Sequence, residues 1–193
     1  MGVKRVWIIE KGNSRWKIGE FNDDVLINVT TADVEAELID SNLPKADSKS
    51  IDILITGSGN WSNDTLELLK SKGNVTQLRH GDSHPLRTNV TNPGSLGTDR
   101  VANSFAIQEG VIDGALTCNA WLIVDVGTCV TFDLVVDGTH LGGAISPGIS
   151  LRLDSMRIGT AALKGVKKDF WNKKAPFKGE TTGLSSEEAQ IKG

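Results

Sequence analysis

The chain has 193 residues, 38% of them hydrophobic and 23% charged, with a formal net charge of −3. That is enough apolar material for one ordinary domain or two small ones, and too much for a disordered tail. The acidic balance argues against nucleic-acid binding through a basic face. No apolar run has membrane-spanning length, and the N-terminus lacks a signal-peptide layout.

The elements follow in chain order. Val3 to Ile9 is apolar and β-branched and reads as a buried strand. Glu10-Lys11-Gly12-Asn13 breaks it, Arg15 to Phe21 returns as a hairpin strand, and Val25 to Val29 follows the turn at Asn22-Asp23-Asp24. Thr31 to Ser41 reads as a short helix ended by Asn42 and Pro44. Ile51 to Ile55 is a strand closed by Gly57-Ser58-Gly59. Ser62 is placed to cap a helix carrying Leu66 and Leu69, which Gly73 stops. A short strand from Val75 to Leu78 leads into a long loop over residues 80–98, and Asp99 opens a helix to about Glu109.

From Trp121 the pattern restarts. Leu122 to Asp125 reads as a buried strand, Gly127 and Thr128 as a tight turn, and Val130 to Val136 as the returning strand. Asp137-Gly138 is a hairpin signal. His140 to Ser146 is a third strand, and Pro147-Gly148 precedes a helix through Leu163. A lysine-rich stretch, Lys164 to Lys178, reads as a solvated surface. The last segment opens on a Ser-Glu-Glu helix start. Three antiparallel strands, then α and β units, then three antiparallel strands again make a weak internal repeat. The expected fold is therefore α/β in two similar halves, residues 1–115 and 116–193, with the second half incomplete.

One local device occurs in both halves. Glu10-Lys11-Gly12-Asn13-Ser14 and Asp125-Val126-Gly127-Thr128 each place an acid at a strand end, a glycine two residues on, and a polar residue after it. The glycine lets backbone pass close to a bulky group. The turn's N–H groups can hold a phosphate, and the acid can hold a metal or its waters. An ordinary hairpin with an acidic turn residue explains either copy alone; matching positions in a repeat favour the functional reading. Gly97-Thr98-Asp99-Arg100 sits where the long loop meets a helix. Asp99 there is either an N-cap or a base that takes a proton from a substrate hydroxyl, with Arg100 pairing an anionic group. Leu141 to Gly148, with Gly142-Gly143 in a strand, is either a tight strand-to-helix corner or a close backbone approach.

Cys118 and Cys129 have no metal-spaced partners and read as reduced, buried thiols. His80 and His84 read as loop histidines, and Trp16 and Trp121 as core.

The ordered set EKGNSRWK, GTDR, DVGTCVTFD and GGAISPG resembles the type III pantothenate kinases. These belong to the superfamily of acetate kinase, sugar kinases, heat-shock chaperones and actin. The resemblance covers essentially the whole chain. It implies two actin-like ATPase (ribonuclease-H-like) halves with a ligand cleft between them, and ATP-dependent phosphorylation of pantothenate, the first step of coenzyme A synthesis. It places Glu10, Lys11, Gly12, Asn13, Ser14, Arg15, Trp16 and Lys17 in the first ATP-phosphate loop, with Thr128 as a second phosphate contact. Gly97, Thr98, Asp99 and Arg100 become the pantothenate segment, with Asp99 as the catalytic base. Asp125 becomes the ligand of a monovalent cation, normally K+. Ser186, in Ser185-Ser186-Glu187-Glu188-Ala189, stands for a substrate-contacting Thr. Mg2+ with the ATP, a homodimer and a cytoplasmic location are implied as well.

Three features depart from the family pattern. Glu10 replaces an Asp, and a carboxylate displaced by roughly 1 Å can cost about 100-fold in rate. Ser186 replaces a Thr. The family pattern also continues past Gly193 with a Gly-Gly strand end that lines the adenine pocket. The alternative expectation is a catalytically impaired or shortened relative acting as a regulatory or binding module.

Overall fold

The structure, a computed structural model, describes residues 4–13, 15–33, 51–57, 60–112, 114, 117–163 and 165. Their contacts divide the chain into two units. One is Met1–Trp121 with Val135–Gly142, and the other is Leu122–Leu134 with Gly143–Gly193.

The first unit is built on strands β1 (Arg5–Lys11), β2 (Trp16–Asn22), β3 (Val25–Ala32), β4 (Ile51–Gly57) and β5 (Asn74–Gln77), in the sheet order β3-β2-β1-β4-β5. β1 pairs antiparallel with β2 and parallel with β4, and β4 pairs parallel with β5. Alternation sends Trp7, Ile9, Trp16, Ile18, Ile51, Ile53 and Ile55 to one face, where Trp61 and Leu69 complete a buried cluster. Helix α1 (Asn63–Lys72) follows β4. Its cap is the expected one: Ser62 Oγ accepts from Thr65 N at 3.1 Å, and Gly73 N donates to Leu69 O at the other end.

Thr31 and Ala32, expected to open a helix, instead end β3; the remainder of that expected helix, the Gly-Ser-Gly closure beyond Gly57 and the segments after residue 165 lie outside the described residues. β3 is an edge strand, and Val25, Leu26, Ile27 and Val29 are exposed on it.

The loop over residues 80–98 is more structured than its composition predicts. It holds a 3-10 turn at Pro93–Ser95 and a parallel bridge from Thr88 to His140. Gln108, at the end of helix α2 (Thr98–Gln108), grips the loop backbone twice: Arg87 N donates to its Oε1 at 3.0 Å, and its Nε2 donates to Arg87 O at 2.7 Å. Leu86 and Leu96 then bury themselves against Val101 of α2. The loop thus runs back along the helix whose first turn carries Asp99.

A second sheet has the order β6-β7-β8, with β6 at Ala120–Val126, β7 at Cys129–Val136 and β8 at Thr139–Pro147. Positive φ at both Asp137 (47°) and Gly138 (67°) gives the turn that the right-handed strand twist favours in two-residue hairpins. β6 is not buried as expected: Leu122, Val124 and Val126 are exposed. Its apolar run reads as a two-sided core strand, yet among the described residues only β7 flanks it in the sheet. Helix α3 (Ile149–Gly159) ends four residues before the expected Leu163. Cys118 is exposed and Cys129 half-buried, which corrects the expectation of two buried thiols; both are free. No described helix is long and apolar enough to cross a membrane.

Candidate functional site

The first acidic turn lies at the carboxyl ends of the parallel pair β1 and β4, the edge where open α/β sheets bind ligands. Glu10 stands directly opposite Lys17 of β2, and Lys17 Nζ meets Glu10 Oε2 at 3.1 Å. Gly12 N donates to Arg15 O at 2.9 Å and closes the turn. Gly57 holds φ at 123°, and a Cβ there would strike the backbone of Lys11. The two strand ends therefore approach more closely than any side chain would permit.

The strand residues between Glu10 and Lys17 divide between the two faces of the sheet. Lys11 and Trp16 face the opposite side of the sheet from Glu10 and Lys17. Lys11 Nζ donates to Asn60 O at 2.5 Å and lies 5.1 Å over the Trp16 ring, which meets Trp61 edge-on at 5.0 Å. These contacts brace the turn from behind. Arg15 reaches outward to Asp33 at 3.6 Å, with both side chains exposed. Asn13 is exposed, and Ser14 lies outside the described residues. The face open to chemistry thus carries Glu10 and Lys17. No local sequence signal marks Asn60 as the partner of Lys11, because the contact spans 49 residues.

Gly97 is the N-cap of α2, with no side-chain cap bond, and Thr98, Asp99 and Arg100 form its first turn. Asp99 is therefore not the N-cap. It is exposed, Thr98 is buried, and Arg100 is half-buried. A Cβ on Gly97 would collide with Asp99 Oδ1, so the carboxyl group folds back over the glycine. The glycine's own φ of −61° is open to any residue, so its role here is to leave space for that carboxylate. α2 packs against β4 within the same unit.

The second acidic turn, in the other unit, places Asp125 half-buried near the end of β6. Gly127 N donates to Cys129 O at 2.8 Å, and Gly148 N donates to Thr128 O at 2.9 Å. A Cβ on Gly148 would strike Gly127 O, so the turn lies directly against the N-cap of α3. Backbone N–H groups and a helix dipole at such a junction suit an anion. The Gly-rich corner is thus a close approach as well as a strand-to-helix turn. Ser186 lies outside the described residues.

Among the described residues no three His, Cys, Asp or Glu side chains gather to hold a metal. A cation carried in on a nucleotide does not require such a cage: Mg2+ keeps most of its ligands as waters and phosphate oxygens and takes one or two carboxylates. Glu10 stands near the end of β1 and Asp125 near the end of β6.

A sequence profile described as type III pantothenate kinase matches residues 6–187. Type III pantothenate kinase of Flavobacterium psychrophilum is 28% identical over 159 residues, which cover 80% of this chain and 63% of that protein. The enzyme of the same name from Idiomarina loihiensis is 45% identical over 75 residues, covering 38% of this chain and 26% of its own length. The chain therefore spans less than two thirds of these relatives. Among solved structures, a Baf family transcriptional activator from Campylobacter jejuni superposes with a TM-score of 0.54 at 19% identity, over 95% of this chain and 71% of that one. That likeness establishes the shared mixed α/β fold.

Proposed function

This chain belongs to the type III pantothenate kinase family, and on that premise we propose that it transfers the γ-phosphoryl group of ATP to the primary hydroxyl of pantothenate. The product is 4′-phosphopantothenate, and the step opens coenzyme A biosynthesis. The observation that carries this reading is the folding of Asp99 over Gly97 at the first turn of α2. It presents an exposed carboxylate at the tip of a helix whose other end is clamped by Gln108.

Asp99 orients the pantothenate hydroxyl and takes its proton as the oxygen attacks phosphorus. Arg100 pairs with the substrate carboxylate, and Ser186 adds a hydrogen bond. The turns at Gly12-Asn13 and Gly127-Thr128, closed by the Gly12 and Gly127 N–H bonds, seat phosphate oxygens, with Ser14 and Lys17 adding donors. Lys11, Arg15 and Trp16 support that loop. Glu10 faces the waters of the nucleotide's metal, and Asp125 holds a monovalent cation such as K+. Mg2+, when bound, neutralises charge on the phosphate oxygens. In this reading the halves 1–115 and 116–193 enclose the nucleotide between them, and the cytoplasmic protein works as a homodimer.

The test is ADP release by the purified chain. It is expected to require both pantothenate and K+. Nucleotide binding without pantothenate-dependent turnover would instead favour a non-catalytic binding module.

A further inference from the structure

The pairing of β1 with its two neighbours sets three side chains in a row. Glu10 is in register with Lys17 of β2 and with Thr56 of β4. Residues paired in register project from the same face, so Lys17, Glu10 and Thr56 line one face across three strands. The row lies at the carboxyl ends of β1 and β4, where the phosphate-binding turn begins. Lys17 and Glu10 engage each other at 3.1 Å. Thr56 does not share in this: its Oγ1 is buried from solvent and has no hydrogen-bond partner among the described residues.

An orphaned buried hydroxyl is destabilising, whereas an apolar group of the same shape would carry no such penalty. β4 carries such groups at Ile51, Ile53, Leu54 and Ile55, and valine would satisfy the strand at Thr56 at least as well. The hydroxyl is thus a burden on the free protein, beside the close approach of β4 to β1 at Gly57. A donor that lacks a partner among the described residues, beside a neutralised acid–lysine pair, is suited to an oxygen brought from outside.

We propose that Thr56 Oγ1 is a binding group for the nucleotide, donating its hydrogen bond to a phosphate oxygen seated over the Lys17–Glu10–Thr56 row. This rests on the nucleotide reading given above and adds to it a residue from a strand that no motif touches. Glu10 and Lys17 balance each other's charge, so the row does not repel an anion. A bound phosphate would relieve the unpaired hydroxyl, so that what weakens the free protein strengthens the complex.

Thr56→Val keeps the shape and removes the hydroxyl, and Thr56→Ser keeps the hydroxyl. Each full-length variant is melted alone and titrated calorimetrically with Mg-ADP, inorganic phosphate and adenosine. The free Thr56→Val protein is expected to melt at or above the natural chain. Its affinity for Mg-ADP is expected to fall roughly tenfold or more, the size of a hydrogen bond to a charged group. Thr56→Ser should bind Mg-ADP like the natural chain, and adenosine should not distinguish the three proteins. A parallel loss for inorganic phosphate would show that the phosphate alone suffices; a loss for Mg-ADP only would show that the nucleotide must place it, and both support the contact. Equal Mg-ADP affinity in Thr56→Val and the natural chain would overturn the inference, as would an equal loss for adenosine. Failure of the natural chain itself to bind Mg-ADP would remove the nucleotide reading and this inference together.

Discussion

The two acidic turns share a local design but sit in different surroundings. Glu10 ends a strand flanked on both sides, and Trp7 and Ile9 before it are 4% and 2% exposed. Asp125 lies near the end of a strand flanked, among the described residues, only by β7, with Leu122, Val124 and Val126 at 64%, 49% and 66% exposed. The contrast shows that an acid–x–Gly–polar turn is specified by a few residues, while the rigidity behind it comes from neighbours far off in sequence. The first turn is braced by Lys11, Trp16 and Trp61. The second is fixed by the approach of Gly148 to Gly127 and Thr128.

Substitutions in the two units test this difference. The largest effect is expected at the chemistry of the first unit. Asp99→Asn should lower pantothenate phosphorylation by about 10²- to 10⁴-fold, the range for losing a general base. Its melting temperature should stay unchanged, because Asp99 is exposed; steady-state rates and a thermal melt check both. Ile9→Ala, behind the first turn, should cost about 2–5 kcal/mol in a urea titration.

Gly97→Ala separates position from stability. Its backbone accommodates alanine, so only the Asp99 carboxylate must move. A displacement near 1 Å is expected to cost about 100-fold in turnover with little change in the melt. In the second unit, Gly148→Ala meets backbone carbonyls rather than a movable side chain and should destabilise by about 1–3 kcal/mol. Val124→Ala is the counterpart of Ile9→Ala, and at an exposed site it should stay within about 0.5 kcal/mol. Equal costs for Ile9→Ala and Val124→Ala would erase the contrast between the two strands.

What could be read in the sequence was what neighbouring residues decide. Ser62 as a cap, Asp137-Gly138 as a hairpin turn and the two acidic turns all depend on short-range geometry. What could not be read depends on pairing at a distance. Continuous apolar residues from Leu122 to Val124 look alike whether one or both faces are covered, so burial of β6 was overestimated. Gln108 carries no motif, yet it grips Arg87 across 21 residues, and Thr88 meets His140 Nδ1 at 2.8 Å across 52. Thr56 becomes notable only through its register with Glu10. Within the site, the motif from Glu10 to Lys17 was legible as a unit, but its division between two faces of the sheet required the strand pairing.

Product analysis shows where the phosphoryl group goes. Pantothenate incubated with the chain, ATP, Mg2+ and K+ is examined by mass spectrometry and phosphorus NMR. The expected product is heavier by one phosphoryl group, is esterified at the primary alcohol, and forms about 10²- to 10⁴-fold more slowly when Asp99→Asn replaces the natural chain. ADP and free phosphate accumulating beside unmodified pantothenate would contradict it.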